Sequence, residues 1–91
     1  MSPVQRTVHK YPLNLVDQQQ ITTHNGVEFL SVQEQNGVLC LWAAVNPGNP
    51  EKTVKVHIVG TGNPMPFGVV RFVGTVQESA RPLVWHVFVT P

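Results

Sequence analysis

Apolar side chains along the chain recur at alternate positions over short stretches, and no stretch of ten or more residues keeps the 3.6-residue period of an amphipathic helix. Val54, Val56 and Ile58 alternate with Lys55 and His57. Leu83, Trp85, Val87 and Val89 alternate with Val84, His86 and Phe88, and Val70, Phe72 and Val76 oppose Val69, Arg71, Val73 and Thr75. Such alternation, rich in valine, threonine and aromatics, suits a pleated surface. It predicts about seven strands: Val4 to Tyr11, Gln19 to Thr23, Val27 to Gln35, Val38 to Asn46, Thr53 to Val59, Val69 to Gln77 and Leu83 to Val89. Glycine and proline punctuate them at Pro12, Gly26, residues 47–52, Gly60 to Gly68 and Pro82. The fold class expected is all-β: a single antiparallel sandwich or small barrel over residues 1–91.

Asn36-Gly37 between two alternating runs is a hairpin signal, because both central positions of a type I′ turn need positive φ. A two-residue loop fixes the register, so Val32 is expected opposite Leu41, Leu30 opposite Ala43, and Trp42 opposite Ser31. One face then carries Leu30, Val32, Leu39, Leu41, Ala43 and Val45, the expected core face. The other carries Phe29, Ser31, Gln33, Cys40, Trp42 and Ala44, with no charge, which a solvated face would show. A second sheet, another subunit or a ligand over Trp42 could each cover it.

The chain has 91 residues, enough for one domain. A chain this short buries only about 60–65% of its unfolded surface, so association with other copies would add needed burial. Hydrophobic residues make up 42% and charged ones 12%, which excludes intrinsic disorder. A net charge of +1 argues against duplex nucleic acid as partner. No signal peptide or membrane helix is expected: the first residues lack an apolar run, and Val38 to Val45 spans only eight residues. A cytoplasmic location follows, with the single Cys40 reduced.

Chemistry is sparse. Asp17, Glu28, Glu34, Glu51 and Glu78 form no acid/base pair, and no serine sits in a Gly-x-Ser-x-Gly elbow. Cys40 lies mid-strand like a small hydrophobe. His9, His24, His57 and His86 show no metal-ligand spacing. No catalytic residue, metal or cofactor is therefore expected. Lys55, His57, Arg71 and His86 are either the polar face of a sheet or donors gathered beside an aromatic floor, where a phosphorylated base would stack and be gripped. The loop beginning Gly60-Thr61-Gly62-Asn63 is either a connector or an anion-binding nest of backbone amides.

Lys10-Tyr11-Pro12-Leu13, Leu30-Ser31-Val32-Gln33-Glu34-Gln35-Asn36-Gly37, Leu41-Trp42-Ala43 and Val45-Asn46-Pro47 occur in that order. Gly60-Thr61-Gly62-Asn63-Pro64-Met65-Pro66 and Leu83-Val84-Trp85-His86-Val87-Phe88 follow. Together they resemble a family of small, functionally unassigned proteins encoded by bacteriophages. Members carry histidine where this chain has Asn63, which keeps hydrogen bonding but loses a titratable group. The resemblance implies action in the host bacterial cytoplasm, and small phage proteins without catalytic residues commonly act by binding. The expectation is a non-enzymatic counter-defence protein, a homo-oligomer that sequesters a small anionic, nucleotide-derived immune signal. Gly60, Thr61, Gly62 and Asn63 would offer backbone donors, Arg71, His57 and His86 would hold phosphate, and Trp42 or Trp85 would stack on the base. The alternatives are an inhibitor that docks on a host defence protein, its interface at Phe29, Cys40 and Trp42, or a minor structural protein of the virion.

Overall fold

The computed structural model describes residues 5–68 and 70–90, so Val4 and Val69 of the sequence reading lie outside the described residues. Seven strands form, each near its expected bounds: β1 (Thr7–Pro12), β2 (Gln18–His24), β3 (Glu28–Gln35), β4 (Val38–Val45), β5 (Glu51–Gly60), β6 (Arg71–Gln77) and β7 (Val84–Thr90). They pair antiparallel in a three-stranded sheet, order β1-β4-β3, and a four-stranded sheet, order β2-β5-β7-β6. The sheets stack on a core of alternating inward residues. Val32, Leu39 and Leu41 come from the smaller sheet, and Val54, Val56, Ile58, Val76, Val87 and Val89 from the larger.

The β3–β4 turn has Asn36 at φ 52° and Gly37 at φ 78°, the positive pair of a type I′ hairpin. From it the expected register holds through Val32↔Leu41 and Ser31↔Trp42. There it slips. Leu30 is a bulge residue, so Phe29 and not Leu30 stands opposite Ala43. Phe29 packs against the core and Leu30 is 48% exposed, the reverse of the strict-alternation expectation. A second bulge at Val73 does the same in β6. Phe72 pairs with Phe88 and Val76 with Trp85, which puts Phe72 and Val76 on opposite faces where the sequence pattern put them on one.

The outer face of the smaller sheet is covered in part by its own side chains. Arg6 Nη1 donates to Glu28 Oε1 at 2.8 Å, and Lys10 Nζ donates to Gln35 Oε1 at 2.9 Å. Arg6 immediately precedes β1 and Lys10 lies in it, while Glu28 and Gln35 are the ends of β3, so both bonds reach across β4 between them. Cys40 and Ala44 on that strand are buried although they face outward, and Trp42 between them is half-buried. Of the expected interface residues, Cys40 is 2% exposed and so gives no surface for docking on this chain, whereas Phe29 packs against the core and stays half-buried; Val8, Leu30 and Val38 are exposed.

Candidate functional site

The connection from β5 to β6 makes the main surface feature. Both strands run antiparallel to β7, hence parallel to each other, so the connection that leaves β5 at Gly60 must carry the chain back along the length of the sheet. The core fills the inner face, which leaves the outer face as the path. His57 and Val59 point outward by register, yet they are only 6% and 9% exposed, as this strap requires. A cleft of about 680 Å³ opens between strap and sheet, where β2 begins at Gln18 and β5 runs on beyond it. Asp17, Gln18, His57 and Val59 line one side, and Asn63, Pro64, Pro66 and Phe67 the other. Phe67 is fully exposed at its rim.

His57 Nε2 is 2.6 Å from Thr90 Oγ1. Its Nδ1 makes no hydrogen bond among the described residues, and the ring is part of the cleft lining. Burial first, then the charge of Lys55, lowers the His57 pKa and keeps the ring neutral near neutral pH. Asp17, exposed and on the cleft wall, is the ionisable carboxylate there.

The other expected site residues divide. The nest does not form around an empty centre: Thr61 N–H donates to Val84 O at 3.4 Å and Asn63 N–H to Gly60 O at 3.0 Å. Gly60 answers to packing instead, because a Cβ there would lie 3.0 Å from Asn63 Nδ2 and 3.3 Å from Trp85 Cζ3. Gly62, at φ 93°, provides the turn. His86 is a satisfied strand histidine, its Nε2 2.8 Å from Thr61 Oγ1 and its Nδ1 2.9 Å from Thr75 Oγ1. Trp85 faces inward onto the core, and its indole N–H donates to Glu78 Oε1 at 3.0 Å. Arg71 pairs with Val89, which sets it on the opposite face from His57 and Lys55. Trp42 is on the other sheet. The structure thus brings together His57 and Asn63 from the expected set and adds Asp17, Gln18 and Phe67. Phe67 belongs to the Gly60–Gly68 loop of the sequence reading but is not among its expected site residues; Asp17 and Gln18 carry no motif, and only the β1–β2 connection folding beside β5 places them.

Among the described residues, no group of three or more His, Cys, Asp or Glu could hold a metal ion, and no helix is long and apolar enough to cross a membrane. The family described as Domain of unknown function (DUF7352) matches residues 4–91, and the chain belongs to it. No curated protein and no solved structure matches the chain.

Proposed function

We propose that this member of the family is a non-enzymatic binding protein that captures a nucleotide-derived small molecule by its base, in the cleft under the strap. The reading rests on one observation: His57, held neutral by burial, lines a single cleft with Gln18 and Asn63, and the exposed ring of Phe67 is at its rim. Uncharged donors and acceptors beside an aromatic platform suit the edge and face of a nucleobase. The phosphate grip of the sequence reading has less support, since Arg71 lies on the opposite face of the sheet and the Thr61 and Asn63 amides are engaged. The cleft is formed within one chain, so capture needs no second copy. Sequestration of a signalling nucleotide in a phage-infected bacterium is the biological role this reading carries.

Isothermal titration with a panel of nucleosides, mononucleotides and cyclic dinucleotides tests it. At least one member should bind, and Phe67→Ala or Asn63→Ala should weaken it tenfold or more while Arg71→Ala leaves it unchanged. A panel without any binder would sink the reading and favour docking on a host protein instead.

A further inference from the structure

The strands bring together two histidines that sequence spacing kept apart. His9 on β1 and His24 on β2 belong to different sheets, and their ring centroids stand 6.4 Å apart at an interplanar angle of 73°. Tyr11 closes one side, its ring 6.3 Å from His9 and its hydroxyl donating to Thr23 Oγ1 at 2.8 Å. Both imidazoles are half-buried at this open edge of the sandwich.

The hydrogen bonding at His24 decides its chemistry. Its Nδ1 is 2.9 Å from the backbone oxygen of Asn49. A carbonyl can only accept, so Nδ1 carries the proton and the neutral ring presents a bare lone pair at Nε2. A metal-ligating histidine is held in the same way, one nitrogen donating to a carbonyl while the other binds the ion. The carbonyl is itself fixed, because Asn49 N–H donates to Asn46 O at 3.0 Å and Asn49 Nδ2 donates to Asn25 O at 2.8 Å. No hydrogen bond to the His9 ring is found among the described residues; its ring neighbours are Tyr11 and His24.

We infer that His9 and His24 form a two-histidine site for a divalent transition metal of the zinc and copper class, whose preferred ligands include imidazole. An ion held at about 2.1 Å lies about 3.2 Å from each ring centroid, so two ligated rings stand about 5.2 Å apart at a tetrahedral angle and about 6.4 Å at most. The observed separation is at the outer limit, so binding requires the His9 ring to rotate and bring the centroids about 1 Å closer. No third His, Cys, Asp or Glu joins them among the described residues, so water completes the shell and the ion is exchangeable.

Titration of the full chain with zinc chloride in a non-chelating buffer tests this, read by calorimetry and by the histidine ring resonances in NMR. One zinc per chain should bind, with the resonances of His9 and His24 shifting together and those of His86 unmoved. His9→Gln and His24→Gln should each weaken binding tenfold or more, and His86→Gln should not, with circular dichroism showing that each variant is folded. Absence of saturable binding, or a folded His9→Gln variant that binds as tightly as the parent, would overturn the site.

Discussion

Gly74 of β6 lies against Val32 of β3 so closely that a Cβ at position 74 would come within 2.9 Å of Val32 Cγ1. The two residues belong to different sheets, and their approach closes that edge of the sandwich. Val32 is buried and has no room to retreat. Gly74→Ala should therefore cost about 1–3 kcal/mol, the range of overpacking in a filled core. Urea unfolding measures it. Shortening the partner provides the control: Val32→Ala leaves a gap that the new methyl enters, so the double variant should lose less than the sum of the two single losses. Additive losses would mean that the contact is not what excludes a side chain at 74.

Gly37 tests the opposite cause. No atom lies within 4 Å of the Cβ it would carry, and its φ is 78°. Only backbone strain opposes a side chain there, so Gly37→Ala should cost about 1 kcal/mol, independent of any neighbour's size. Gly37→Asn should recover part of it, since asparagine tolerates the left-handed region. Equal urea midpoints for Gly37→Ala and the parent would show that the hairpin adopts another turn.

His57 gives the fold a pH dependence of known sign. Burial, and then Lys55, disfavour the imidazolium in the folded protein and lower its pKa. In the unfolded chain the ring protonates at about 6.5. Above that value both states are neutral and the contribution is whole. As pH falls from there through the lower folded-state pKa, the unfolded state binds more protons and stability is lost. Urea midpoints at pH 7.5, 6.5 and 5.5 should fall more steeply for the parent than for His57→Gln. Parallel slopes would show that the folded protein accommodates the charged ring.

The strands and the β3–β4 turn were legible because alternation and Asn36-Gly37 are local signals. The bulges at Leu30 and Val73 were not. Each places one apolar residue directly after a phenylalanine, Phe29 or Phe72, so the composition of the strand barely changes while the facing of every residue beyond it reverses. The cover on the smaller sheet was also hidden, since Arg6–Glu28 and Lys10–Gln35 join residues more than twenty positions apart. At the cleft, His57 and Asn63 could be read from strand alternation and a distinctive loop, whereas Asp17 and Gln18 arrive only through sheet order. Arg71 was misplaced for the same reason as Phe72: the register of β6 shifts next to it.

The β3 bulge makes the sharpest test of that account, because strict alternation and the observed register assign Phe29 and Leu30 opposite fates. Phe29 packs on the core and Leu30 is exposed. Phe29→Ala should cost about 2–4 kcal/mol, somewhat less than a fully buried phenylalanine because its ring is only partly enclosed. Leu30→Ser should stay within about 0.5 kcal/mol of the parent, as exposed substitutions do. Under strict alternation the order is reversed, with Leu30 a core residue facing Ala43. Thermal or urea unfolding of the two variants side by side therefore reads the register directly, and a larger loss for Leu30→Ser than for Phe29→Ala would rule out the bulge.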